Sequence, residues 1–72
     1  MLFKYPVALK GEFKKVENYF NGILAGFDFV ETVDYDGGFL TIIVKPEFKG
    51  EAEDKESALN DAIFTAIQEM AA

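Results

Sequence analysis

The chain has 72 residues, half of them hydrophobic, with eight Phe and three Tyr, and thirteen acids against seven lysines give it a net charge of −6 at pH 7. That length allows one domain near the lower limit at which a single core stands alone, and the apolar and aromatic content excludes disorder. The absence of His, Cys, Arg and Trp counts against His- or Cys-based catalysis, zinc proteins, disulfide scaffolds and bidentate phosphate readers.

Residues 2 to 9 alternate, with Phe3, Tyr5, Val7 and Leu9 on one face and Leu2, Lys4, Pro6 and Ala8 on the other, which predicts a first strand. Pro6 lacks a ladder donor, so this strand belongs at a sheet edge, and Lys4 is a usual guard of such an edge. Gly11 breaks the pattern. Phe13, Val16, Phe20, Ile23 and Leu24 then form one helical stripe ended by Gly26, which predicts a helix over residues 11 to 25.

Residues 27 to 35 and 39 to 46 read as two strands joined at Asp36-Gly37-Gly38, a strong hairpin signal because Gly supplies a positive φ without steric cost. A two-residue turn at either Asp36-Gly37 or Gly37-Gly38 sets Phe27, Phe29, Glu31, Val33 and Tyr35 on one face with Leu40, Ile42 and Val44. The strand from Phe39 to Val44 is apolar on both faces and is expected at the centre of the sheet. A polar stretch from Glu47 to Asp54 follows as a loop, interrupted by Phe48 and Gly50. Leu59, Ala62, Ile63, Ala66, Ile67 and Met70 then mark a second helix over about residues 54 to 71.

The fold class is therefore α+β, a single small domain with element order β-α-β-β-α. It has a three-stranded antiparallel sheet in the order 1-3-2 and two helices on one face. The connectivity resembles a ferredoxin-like split β-α-β unit lacking its last strand. That resemblance is one of topology over the whole chain and implies no function.

The other sheet face is expected to carry Leu2, Lys4, Pro6, Ala8, Val30, Thr32, Phe39, Thr41 and Ile43. Such a face is apolar enough to require cover, from a second copy in a homodimer, from a partner, or from the polar loop with Phe48 as its plug. Leu2, Val30, Phe39, Thr41 and Ile43 are the candidate oligomer residues. Tyr19 and Phe64, off the helical stripes, join Phe48 as candidate aromatic anchors for a protein partner.

Charge is uneven along the chain. Residues 1 to 25 carry four lysines against two glutamates, and the remainder carries three lysines against eleven acids. An acidic body disfavours direct binding to nucleic acid or anionic membrane and suits a basic protein partner. Candidate contacts are Asp34 and Asp36 on the hairpin and Glu51, Glu53, Asp54 and Glu56 at the start of the second helix. Asp34 and Asp36 would stand about 6.8 Å apart, close to two phosphate steps of ~3.4 Å along a nucleic-acid axis. A phosphate-mimicking surface would need hairpin and helix acids together, and those at the helix start also complement its dipole.

Glu31, on the core face by alternation, is a candidate buried carboxylate, the commoner reading being an edge-strand charge that reaches solvent or a nearby lysine. Asp34-Tyr35-Asp36-Gly37 contains a fragment of a calcium loop but lacks its closing ligands, and is read as a turn. No catalytic residue, metal site or cofactor is expected. The N-terminal residues have no leader pattern, and no segment approaches the roughly 20 apolar residues of a membrane span. The expectation is a cytoplasmic, non-enzymatic protein-binding module, for example a small inhibitor or regulator of phage or mobile-element type that blocks a basic nucleic-acid-binding protein. The alternative is a homo-oligomeric assembly subunit that associates through the apolar sheet face.

Overall fold

The structure is a computed structural model that describes residues 1–71. In chain order its elements are β1 (Leu2–Pro6), α1 (Phe13–Ile23), β2 (Val30–Tyr35), β3 (Phe39–Val44), α2 (Lys49–Asp54) and α3 (Glu56–Ala71), with 3-10 turns at Leu24–Gly26 and Pro46–Phe48. The strand that is apolar on both faces, β3, lies in the middle. β1 and β2 each pair antiparallel with it, giving the order 1-3-2, so β1 and β2 run in the same direction.

Alternation decides what each strand buries. Leu40, Ile42 and Val44 of β3 and Val33 and Tyr35 of β2 point into the core. Phe3 and Tyr5 of β1, with Val7 and Leu9 beyond it, pack against its margin. The helices lie on this side alone. Val16 and Phe20 of α1, Ala52 of α2, and Leu59, Ile63 and Ala66 of α3 complete the core with Leu24 and Phe29. Every buried residue among those described is hydrophobic, with Tyr35 contributing a phenol whose hydroxyl is satisfied.

Four differences from the sequence expectations have physical causes. The stretch read as a polar loop is partly helical: Pro46 opens a 3-10 turn, and Lys49–Asp54 form α2. Its inward anchor is Ala52, too small to produce an apolar stripe, and an ion pair of 3.0 Å from Lys55 to Glu51 supports the outer side one turn apart. Lys55, with ψ near 14°, interrupts the helix between α2 and α3.

The second difference is at the start of β2. Residues 27 to 29 turn rather than extend, with the Val30 N–H donating to the Phe27 carbonyl at 3.1 Å. A bulge follows, because Val30 stands opposite Val44 while Thr32 stands opposite Ile43. Glu31 is the extra residue, and it is exposed rather than turned toward the core. The same bulge takes Val30 off the outer row, where it was expected, and packs it against the core.

The third is Phe13, expected in the buried stripe of α1 but 52% exposed. It sits in the first turn of the helix, beyond the sheet, with its ring edge-on to Tyr35 at 5.3 Å and resting on the hairpin glycine Gly37. Finally, of the three alternatives for covering the outer sheet face, the one in which residues 47 to 54 fold over it is not realised. That segment joins the helical layer through Ala52, and Phe48 packs on the core.

Of the two turn registers left open by the sequence, the structure has the one with Gly37-Gly38 as the two-residue loop, since Asp36 N–H donates to the Phe39 carbonyl at 3.3 Å. Gly37 has φ +94° and Gly38 does not share the positive φ, the pattern of a II′ hairpin turn. Asp36 Oδ1 accepts from the Gly38 N–H at 2.9 Å and the Phe39 N–H at 2.7 Å, which closes the turn from the side-chain end.

Two outcomes follow from this packing. Phe20→Ala is expected to cost about 3–5 kcal/mol, against a total stability for a domain of typically ~5–15 kcal/mol, and urea denaturation of both proteins measures it. Gly37→Ala is expected to destabilise by more than about 1 kcal/mol, because the backbone angle is wrong for alanine and the new Cβ would meet Phe13 Cζ at 2.8 Å. Adding Phe13→Ala should relieve only the collision, so thermal melts of the double variant should show most of the loss retained.

Candidate protein-interaction surface

The outer face of the sheet is a small grid defined by register. β1 and β2 flank β3 in matching rows: Leu2, Ile43 and Thr32 form one, Lys4, Thr41 and Asp34 the next, and Pro6 and Phe39 a third. Side chains in these rows point away from the helices, because their neighbours along each strand are the buried ones. Leu2 is 53% exposed and Phe39 43%, with Ile43 and Thr41 half-buried between them. Among the described residues, no element lies over this face. Lys4 holds its ammonium 5.1 Å from the centre of the Phe39 ring, a cation–π contact across the β1–β3 pair.

The hairpin acids lie along the β2 edge and have a companion that sequence reasoning missed. Glu17 of α1 reaches the edge of the sheet, where its Oε2 accepts the Tyr35 N–H at 2.9 Å. This N–H faces away from β3, so Glu17 satisfies an edge donor that would otherwise invite another strand. The contact also crowds Asp34. A hydrogen bond with Glu17, partial desolvation and the charges of Glu17 and Asp36 raise the Asp34 carboxyl above its ordinary value, opposed by the Tyr35 N–H. Asp36 moves the other way, held low by the N–H groups of Gly38 and Phe39 and helped by the charge of Lys4. The calcium-like fragment is thus engaged as a turn cap and an edge cap.

The helix acids are elsewhere. Glu51 pairs with Lys55, Glu53 and Asp54 follow on α2, and Glu56 sits close enough to Tyr5 of β1 to help burial raise the tyrosine's pKa. Tyr5 belongs to one outer strand and Asp34 to the other, so Glu56 and the hairpin acids flank opposite edges of the sheet.

The three aromatic candidates also separate. Tyr19 bridges α1 and α3, its hydroxyl donating to Glu69 Oε2 at 3.2 Å and its ring edge-on to Phe20. Phe48 is half-buried on the core beneath the Lys45 ammonium. Phe64, 56% exposed on α3, stands edge-on to Tyr5 at 6.5 Å, and the Tyr5 hydroxyl donates to Asn60 Oδ1. Phe64 therefore extends the exposed apolar surface around the β1 edge, whereas Tyr19 and Phe48 are occupied within the fold.

A shallow depression at the bulge, with walls from Phe27, Val30, Glu31, Lys45 and Phe48, has space of about 370 Å³. Comparison of the chain with family models, with curated proteins and with solved structures finds no match.

The opposite shifts of the two hairpin acids predict opposite pH signatures. Asp34 has a raised folded pKa, so its ionisation above that pKa weakens the fold. Asp34→Asn should raise the melting temperature at pH 7, with the gain shrinking as pH falls through the raised pKa and vanishing below the ordinary value near 3.8. Asp36 has a lowered folded pKa, so its contribution is present above 3.8 and lost as pH falls through the folded value. Asp36→Ala should lower the melting temperature at pH 7 and have less effect in acid; thermal melts from pH 7 to acid check both.

Proposed function

We propose that this chain is a non-enzymatic protein-binding module whose contact surface is the open face of its sheet. The observation that carries this reading is the uncovered grid of Leu2, Ile43, Phe39 and Pro6, flat and apolar, opposite a face fully occupied by helices. Exposed apolar surface on a small domain marks an interaction site. Lys4, Thr41 and Asp34 cross the middle of this grid as a polar row, with apolar rows on either side of it. The composition supports a binding role, since His, Cys and Arg are absent.

A second reading is favoured by one specific observation, the meeting of Glu17, Asp34 and Asp36 at the β2 edge. It sets a basic protein against that acidic edge, with the chain acting as an inhibitor or regulator of a nucleic-acid-binding partner. Glu56, beside Tyr5 at the opposite edge, would not share that contact.

Affinity capture from cells that express the chain separates the two. Under the face reading, a protein retained by the wild-type chain is lost with Leu2→Lys or Ile43→Lys and kept by the Glu17→Gln/Asp36→Asn variant, which removes edge charge while keeping the oxygens that accept the Tyr35, Gly38 and Phe39 N–H groups. Loss with that double variant and retention with Leu2→Lys would replace the face by the acidic edge. Circular dichroism of each variant checks that the fold is intact.

A further inference from the structure

The grid of the outer face has a property that an arbitrary apolar patch lacks: it is complementary to itself. β1 and β2 run in the same direction and pair with β3 in matching rows, so a half-turn about an axis parallel to β3 brings β1 of one copy over β2 of another while keeping the rows aligned. Under that operation Ile43 meets Ile43, Phe39 meets Phe39, and Leu2 meets Thr32. Lys4 on one margin meets Asp34 on the other, twice. We propose that the open face binds a second copy of this chain in a twofold sheet-on-sheet dimer, with Phe39, Thr41 and Ile43 meeting their counterparts along the central strand and reciprocal Lys4–Asp34 pairs on either side of Thr41. This rests on the reading of the face as a protein-contact surface and names its partner.

Three observations favour a second copy over a foreign chain. The charges are placed for it: Lys4 and Asp34 flank the same residue, Thr41, at equal remove on either side. A twofold interface requires such self-complementarity, residue i meeting j and j meeting i. The surroundings sharpen the pairing, because Asp34 is crowded by Glu17 and Asp36 and lacks a lysine of its own, the Lys4 ammonium lying over Phe39. An incoming ammonium meets three carboxylates rather than one. The shape also fits. Thr32 and Thr41 are short, which lets two such sheets approach to the ~10 Å spacing of packed sheets in the aligned arrangement.

The footprint is small, about 17 Å along the strands and ~10 Å between the outer two, well below the roughly 800 Å² per partner of a standard specific interface, which makes this a weak association. The dimer is accordingly concentration-dependent. Lys4–Asp34 pairing confers its orientation, and contact of Ile43, Phe39 and Leu2 its affinity.

Sedimentation equilibrium of the full chain, from micromolar to millimolar protein, tests this. The expected result is a reversible monomer–dimer equilibrium. Leu2→Lys and Ile43→Lys should abolish it, Leu2→Lys serving because that side chain is largely exposed and its replacement leaves the core untouched. Lys4→Asp and Asp34→Lys should each weaken the dimer by about tenfold or more, the scale of a desolvated charge pair. The swapped double variant Lys4→Asp/Asp34→Lys should dimerise more tightly than either single variant, since it restores both pairs with the signs exchanged, while staying weaker than wild type because Glu17 and Asp36 then face an aspartate. A wild-type chain that stays monomeric at millimolar concentration would overturn the inference, as would a dimer indifferent to Leu2→Lys or a double variant no better than the singles. A monomeric chain whose captured protein is still lost with Leu2→Lys would overturn the second copy alone and leave the face as a site for a foreign partner. Loss of neither overturns both.

Discussion

The structure depends on a single constraint, the position of β3 between two partners. Six residues from Phe39 to Val44 are apolar on both faces, and such a strand has no stable place at an edge, where one flank of its backbone would stay open and its outward side chains would meet water. Pairing on both flanks solves the backbone problem. It also aligns β1 and β2 in register and commits Leu40, Ile42 and Val44 to the helices. What it leaves open is the other side, because Phe39, Thr41 and Ile43 face away from the helices and the described residues set no further layer against them. The uncovered face is a consequence of the central strand.

The two edges are managed by different means. β1 carries Lys4 and Pro6, a charge and a missing donor, and β2 has its Tyr35 N–H closed by Glu17 from α1. Tyr35 ties the same region together a second time. Its hydroxyl accepts the Leu9 N–H at 2.6 Å and donates to the Leu9 carbonyl at 3.1 Å, pinning the segment between β1 and α1 from within the core. The guards of the two edges act against growth of the sheet sideways, which leaves its outer face as the open surface.

Much of the fold was legible because period-2 and helical stripes are strong signals in a chain with so many large apolar residues. The strand order came from one residue pattern, the two-faced apolarity of β3, and the hairpin tip from Asp36-Gly37-Gly38. What was not legible has a common origin in local geometry that periodicity ignores. Strict alternation carried through residues 27 to 35 sends Glu31 inward and Val30 outward; one bulged residue reverses both. Ala52 alone is too weak an apolar mark to betray α2, and Phe13 follows the stripe of α1 yet lies past the end of the sheet. Of the outer face, Leu2, Phe39, Thr41 and Ile43 stand where alternation put them. Glu17 beside Asp34 was invisible because it joins a helix to a strand seventeen residues away, a juxtaposition that only the packing of α1 along β2 creates. The available hint was that an edge strand without Lys or Pro needs another guard, and Glu17 neighbours the buried Val16 on the face turned toward it.

Charge sets the outer face apart from the acidic surfaces of a chain of −6. Its acids crowd the β2 edge, α2 and the start of α3, so most approaches between two copies bring like charges together and are repulsive at the range of a Debye length, about 8–10 Å at ordinary salt. The outer face is different. Its central row holds one lysine and one aspartate around a threonine, so the grid itself is electrically balanced while its surroundings are not. An apolar face is ordinarily a liability for a small protein, open to any hydrophobic partner. Framed by acids and marked by an ordered pair of opposite charges, this face admits a partner that presents the inverse arrangement in the same spacing, and the chain itself is one surface that does so.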